Sequence, residues 1–186
     1  MNCPKCKLTL SDSFLNETLP NKHCNQCQGD WIPGNEYEIW NTGKNNIIPT
    51  EPEQLSKYFN MEFTPSEFDK KGGLCPECKR YLSRAKISIK NEFYVEKCIS
   101  CGGIWCDRGE WDILTKLGLT KVIDSIFSSD WQAKVLKSQH FDKEKEATIN
   151  KLGTELAAKV FTLAELLEKH PNGDFGVAYL MRRFDK

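Results

Sequence analysis

The chain has 186 residues and a formal charge of zero, from 26 basic and 26 acidic side chains. Its length allows one or two domains, and the charge balance argues against strong nonspecific nucleic-acid binding, which rests on neutralising phosphates. No apolar run approaches the ~20 residues needed to span a bilayer, so no membrane segment is expected.

In chain order, the first signal is Cys3-Pro4-Lys5-Cys6, separated by seventeen residues from Cys24-Asn25-Gln26-Cys27. Pro33, Gly34 and Asn35 precede Glu36, which predicts a shorter or looser helix start there. In the next stretch Thr50 with Pro52 and Glu53 reads as a helix start, with Leu55, Tyr58 and Phe59 on one face, and Thr64-Pro65-Ser66-Glu67 reads as a second start. Met61, Phe63 and Phe68 make this connector too aromatic for a free linker, so it is expected to pack on its neighbours.

Cys75-Pro76-Glu77-Cys78 and Cys98-Ile99-Ser100-Cys101 then form a second set, with nineteen residues between the pairs. Between them Ala85–Lys90 alternates apolar and polar like a half-buried strand, Asn91 lies near a turn, and Phe93–Glu96 reads as the return strand. A helix should begin near Glu110, with Asp107 as N-cap and Glu110 completing a capping-box-like pair.

From there the chain reads as helical. Leu114, Leu117, Leu119, Val122, Ile123 and Ile126 follow helical spacing with a break near Gly118, and Ser129 is a candidate cap for a helix through Trp131, Val135 and Leu136. Leu152, Leu156, Val160, Leu163 and Leu167 form one apolar stripe, expected to be core between helices. His170-Pro171-Asn172-Gly173 stops that helix, and Asp174 can cap a last one carrying Val177, Leu180, Met181 and Phe184. His140 and His170 are isolated and expected to be solvated.

Two Cys-x-x-Cys turns at these separations can wrap one tetrahedral ion, which makes Cys3, Cys6, Cys24 and Cys27 one candidate site and Cys75, Cys78, Cys98 and Cys101 another. Four thiolates leave no open position, so each site is structural, and zinc is the expected metal, with rubredoxin-like iron the rival. Cys3 lies two residues from Met1, which leaves no room for a secretory signal peptide; a reducing cytoplasm is the expected compartment, where thiols persist. Cys106 has no partner and reads as a small packed residue, with a reactive thiol as the alternative. His23 is a weaker candidate ligand beside Cys24.

The two sets belong to an internal repeat. Gly29, Trp31, Glu36 and Tyr37 align with Gly103, Trp105, Glu110 and Trp111, and Leu10 and Leu82 each lie four residues past a cysteine. Each unit reads as a β-hairpin between two metal knuckles, with glycines turning the chain sharply around the metal and Trp31 or Trp105 packed over the knuckle. A unit of about forty residues cannot bury enough apolar surface without such a staple.

Both units resemble the transcription factor IIB-type zinc ribbon domain of bacterial proteins, whose pattern runs C-P-x-C, a leucine, then C-x-x-C-G-G-x-W-x-D-x-x-E-L. The second unit follows it through Cys75, Cys78, Leu82, Cys98, Cys101, Gly102, Gly103, Trp105, Asp107 and Glu110, and departs at Trp111. The first keeps Cys3, Cys6, Leu10, Cys24, Cys27, Gly29, Trp31 and Glu36, but has Gln28 for a glycine and Pro33 for the aspartate. The resemblance implies zinc binding and a fold, not an activity.

The expected architecture is therefore α+β, with two small zinc-ribbon β-hairpin units in tandem followed by a C-terminal helical module. The divisions are residues 1–42 for the first ribbon, 43–74 for a partly helical connector, 75–117 for the second ribbon with its helix, and 118–186 for the helices. Two structural zinc ions would take the holo protein to a charge of about −4.

For function, closed metal sites and the lack of a Ser/His/Asp set or phosphate-binding glycine loop favour a non-enzymatic interaction or regulatory protein. Its ribbons would be rigid recognition modules, and its C-terminal helices would contact a protein partner or a second copy of the chain. The alternative is a nucleic-acid-binding or transcription-associated regulator that uses the basic hairpin of the second ribbon, through Arg80, Arg84, Lys86 and Lys90 with Phe93 and Tyr94 stacking on bases. A thiol-based redox protein is the third reading.

Overall fold

The computed structural model describes residues 1–42 and 61–184, which form an α+β architecture. The chain divides into two compact units, residues 1–138 and 139–186. The helix start expected at Thr50, with Leu55, Tyr58 and Phe59, lies outside the described residues.

In the first unit the repeat is visible as two successive three-stranded ribbons. The first contains β1 (Ser11–Leu15), β2 (Leu19–His23) and β3 (Asp30–Ile32), then α1 (Gly34–Asn41). The second contains β4 (Ser83–Ile87), β5 (Phe93–Lys97) and β6 (Ile104–Cys106), then α2 (Glu110–Lys116). A one-turn α3 (Ile123–Ile126) and the long α4 (Ser129–Leu152) follow. The hairpin expected in the second ribbon is present, with Ala85 opposite Val95 and Ile87 opposite Phe93.

The six strands make a single antiparallel sheet in the order β1-β2-β3-β6-β5-β4. The ribbons meet edge to edge, β3 against β6, with Trp31 opposite Trp105 and Ile32 opposite Ile104. Each ribbon's free edge is thereby paired rather than left as a template for aggregation.

This join explains the two repeated glycines better than a turn around the metal does. A Cβ on Gly29 would lie 2.3 Å from Cζ2 of Trp105, and one on Gly103 would lie 2.1 Å from Cζ2 of Trp31. Each ribbon's tryptophan therefore lies on the other ribbon's glycine. The left-handed turn is made one residue earlier, by Gly102 (φ 72°) and by Gln28 (φ 60°) at the matching place.

Apolar side chains collect in two clusters. One contains Trp31 and Trp105, Leu10 and Leu82, and cysteines of both metal sites. The tryptophans are thus packed at the knuckles, as the sequence suggests, but as one core shared by the two ribbons. The larger cluster joins Ile87, Phe93 and Val95 of the sheet to Trp111 and Leu114 of α2 and to Trp131 and Val135 of α4. Met61 and Phe63 pack on this larger cluster and Phe68 on the knuckle cluster, so this part of the connector is pinned down. Thr64–Glu67 starts no helix; residues 67–70 form a turn.

Helix boundaries differ from expectation for local reasons. In the first ribbon α1 starts at Gly34 and runs eight residues, against seven for α2, so the proline-glycine start does not shorten it. In the second ribbon Gly109 (φ 79°) occupies the N-cap position. Half of the expected box forms, since the Asp107 backbone N–H donates to Glu110 Oε2 at 2.8 Å. The Asp107 carboxylate caps nothing and instead accepts the Trp105 indole N–H at 2.8 Å. At α4 the hydroxyl of Ser128, not Ser129, accepts the N–H of Trp131.

The second unit continues with α5 (Thr154–Lys169) and α6 (Gly173–Phe184). Leu152 ends α4, and Gly153 at φ 76° interrupts the expected stripe before Leu156. Asp174 lies within the first turn of α6 rather than capping it. The helices close on each other at their turn, where a Cβ on Gly176 would meet Leu167 Cδ2 at 2.6 Å. The stripe is not core. Among the described residues only Ala157 of α5 and Gly173 of α6 are buried, while Leu156, Val160 and Leu163 are exposed. No helix among the described residues is long and apolar enough to cross a membrane.

Candidate metal centres and the joint between the ribbons

Each pair of cysteines sits on a tight backbone loop, and the loops of the two ribbons match bond for bond. The Cys3 N–H donates to Leu8 O at 2.7 Å and the Lys7 N–H to Cys3 O at 3.1 Å; Cys75 with Arg80 and Lys79 with Cys75 repeat this at 2.7 and 3.0 Å. The Cys24 N–H donates to Gly29 O at 2.9 Å, and Cys98 repeats it to Gly103 O at 2.8 Å. Lys7 and Lys79 both take positive φ, 67° and 61°, and each ammonium donates to its knuckle proline carbonyl at 2.7 Å. That bond offsets the cost of a left-handed residue with a side chain.

These loops bring Cys3, Cys6, Cys24 and Cys27 together, and likewise Cys75, Cys78, Cys98 and Cys101, with the four sulfurs of each set within 4.8 Å of one another. Cys3–Cys27 and Cys75–Cys101 are 3.5 Å apart, and Cys6–Cys24 and Cys78–Cys98 are 3.3 Å apart. Such spacings are far too long for disulfides, and all nine cysteines are free. They approach the edge of about 3.8 Å that a tetrahedron with 2.3 Å zinc–sulfur bonds requires. The donor set therefore fits two structural zinc ions, one per ribbon.

Without metal, burial works against the Cys24 and Cys98 thiolates, yet backbone N–H donors and a neighbouring thiol outweigh it and bring both thiols down to about 7. Burial holds Cys3 up at about 11. Zinc must displace these protons, so loading weakens as pH falls.

The other candidates fall away from the metal. Nδ1 of His23 pairs with Asp30 Oδ1 at 2.8 Å rather than reaching a knuckle. Cys106 is fully buried in the larger core, and burial, with Glu110 and Asp30 nearby, pushes its thiol well above the ordinary value. Such a thiol packs and does not attack. His140 and His170 are exposed, and the latter accepts the Asn172 N–H at 3.1 Å.

The six residues singled out for nucleic acid do not form one open basic face. Lys86 pairs with Glu92 and Lys90 with Glu62, and the Arg80 guanidinium donates to the Ser100 hydroxyl. Arg84 stands 4.2 Å over the Tyr94 ring and 3.3 Å from Glu96 Oε1. Phe93 is fully buried, 5.1 Å edge-on to Phe63, and offers no surface for a base.

A buried ionic joint lies behind the knuckles, and no local motif announces it. Lys5, the variable residue of the first Cys-Pro-x-Cys, crosses to the second ribbon, its ammonium 2.9 Å from Glu96 Oε1 and 3.7 Å from Asp107 Oδ2. Glu77, at the matching position in the second ribbon, accepts the Trp31 indole N–H at 3.0 Å. Asp69, Asp107 and Glu110 place carboxylate oxygens within 4.8 Å of one another, all three buried. Burial first, then the Asp107 charge, raises the Glu110 carboxyl well above the ordinary value. Burial also raises Asp107 and Glu96, with Lys5 pulling the other way. The sequence carries one trace of the crossing contacts, the opposite charges of Lys5 and Glu77 at equivalent knuckle positions, which does not name their partners.

Residues 74–116 match the family described as transcription factor zinc-finger, of the TFIIB-type zinc ribbon. The match covers the second ribbon, less than half of the chain. The chain matches no curated protein and no solved structure. With the family match on one ribbon and the same four-sulfur geometry in both, the chain is a zinc-binding protein with two zinc-ribbon sites.

Proposed function

We propose that this is a non-enzymatic cytoplasmic interaction protein of regulatory type, with the ribbons as a rigid zinc-stapled recognition module and the C-terminal helices contacting a protein partner. One observation carries this reading. Apolar side chains at helical spacing on α5 and α6 face water, with Val160 and Leu163 each 41 % exposed and Phe184 82 % exposed. Exposed apolar surface of this extent on a small helical unit marks an interaction site. The closed four-thiolate sites support a structural role for the metal, and the buried, proton-holding Cys106 weighs against redox chemistry.

The test is an affinity pull-down from cytosol with the full-length, zinc-loaded protein, treated with nuclease and compared with a Leu163→Glu, Leu166→Glu variant. A protein partner retained by the wild type and lost by the variant is the expected result. A catch removed by nuclease would replace this reading with nucleic-acid binding.

A further inference from the structure

The helical hairpin of α5 and α6 has a polarity that says what fits it. Leu156, Val160 and Leu163 of α5 and Val177, Met181 and Phe184 of α6 are all exposed, and each trio falls on one face at 3.6 residues per turn. Between the helices runs a groove of about 600 Å³, lined by Val160, Leu163, Leu167, Val177 and Leu180, with Glu168 and Asp174 at the turn end. Charge is separated along this hairpin. Its turn end holds Glu165, Glu168 and Asp174 against Lys169, and its open end holds Lys159, Arg182 and Arg183 against Glu155. The ion pair within the hairpin, Lys159 with Glu155, leaves Glu165, Glu168 and Arg183 unpaired among the described residues.

A hairpin with an apolar face, acidic side chains flanking one end and basic side chains flanking the other, is complementary to itself when inverted. A twofold axis perpendicular to the helices lays turn end on open end, whereas an axis along the helices would stack like charges. We infer that the partner seated on this face is a second copy of the chain, in antiparallel contact through α5 and α6. The inference rests on the helices being a contact surface and adds which protein covers them. Each charge contact then occurs twice, once on either side of the axis. The apolar face supplies the attraction and the charges the direction.

The experiment is sedimentation of the full-length, zinc-loaded protein over a concentration series, for wild type, Glu168→Arg, Arg183→Glu and the combined variant, with two bound zinc ions confirmed for each. The expected result is a wild-type dimer, self-association weakened roughly tenfold or more in either single swap, and recovery in the combined variant. Leu163→Glu, an exposed position, should be monomeric with its zinc retained. A wild type that stays monomeric up to high micromolar concentration overturns the inference. If that monomer still loses a different protein partner on Leu163→Glu with Leu166→Glu, the contact-surface reading stands without it. A dimer indifferent to both charge swaps overturns the antiparallel arrangement.

Discussion

In the second ribbon the indole N–H of Trp105 ends on Asp107, two residues along the same strand and loop. In the first ribbon Pro33 stands where that aspartate would be, and the indole N–H of Trp31 crosses to Glu77 of the other ribbon. The trade runs in both directions, because Lys5 of the first ribbon neutralises Glu96 and Asp107 of the second. The two copies have diverged into halves of one structure. What looks like a defect in the first ribbon, its missing aspartate, is made good by its neighbour, and the tandem repeat is the unit that folds.

The comparison breaks most completely at the metal. Cys101→Ser removes a ligand from a site whose zinc contributes on the order of 10–16 kcal/mol to folding. The second ribbon should unfold, and because its β6 edge supports β3, zinc content measured by metal analysis should fall below one ion per chain. Retention of a fully stable first ribbon with one zinc would mean that the ribbons fold independently.

Next comes the ionic joint. Lys5→Met leaves Glu96 and Asp107 buried with Arg84, beside Glu96, as the remaining cation, and breaking a buried charge pair this way costs about 3–5 kcal/mol. The loss should appear as a lowered urea midpoint with both zinc ions still bound, since Lys5 meets the Cys3 sulfur through its backbone N–H, at 3.4 Å, which the substitution keeps.

Gly103→Ala puts a methyl group into the Trp31 ring. Overpacking of this kind costs about 1–3 kcal/mol, and Gly29→Ala should match it because the joint is two-sided. Ribbons packed separately would give unequal losses, so equal falls in Tm sharpen the symmetry. Glu77→Ala, which only removes the acceptor of the Trp31 N–H, should cost about 1 kcal/mol.

The subtlest test is pH. Glu110 and Asp107 are held above their ordinary values, chiefly by burial. A carboxyl raised on folding contributes most stability below its unfolded pKa and loses that contribution as pH rises through the folded value. Glu110→Gln keeps an oxygen for the Asp107 N–H and removes the titrating group. Above the ordinary carboxylate range, at pH values where zinc stays bound, its urea midpoint should gain on the wild type as pH rises toward the raised Glu110 value; a constant or shrinking difference would count against a buried, proton-holding Glu110.

Much of this was legible in the amino-acid sequence, and the residues show why the rest was not. The cysteine pairs locate both metal sites because chelation is local and its spacing is narrow. The β4–β5 hairpin is written in the alternation of Ala85, Ile87 and Ile89 with polar neighbours. Pairing of β3 with β6 leaves no such mark, since three-residue strands carry almost no periodicity and their partners lie about seventy residues apart. The glycines at 29 and 103 hinted at it, but a glycine cleared for another residue's ring reads the same as one used for a turn. Asp107 shows a similar ambiguity: the capping pattern is genuine, yet a buried indole and an ammonium from the other ribbon compete for its oxygens. The stripe from Leu152 to Leu167 reads as core in the sequence because periodicity reports which face is apolar, not whether anything covers it.

The most direct measurement is a nuclear Overhauser spectrum of the zinc-loaded full-length protein. Cross-peaks from the Trp31 indole to the Gly103 Hα protons, and from the Trp105 indole to those of Gly29, are the expected result, because each ring lies on the other ribbon's glycine. Their absence in a spectrum that retains the β4–β5 cross-peaks would show two ribbons side by side and unjoined, and would contradict the single shared sheet.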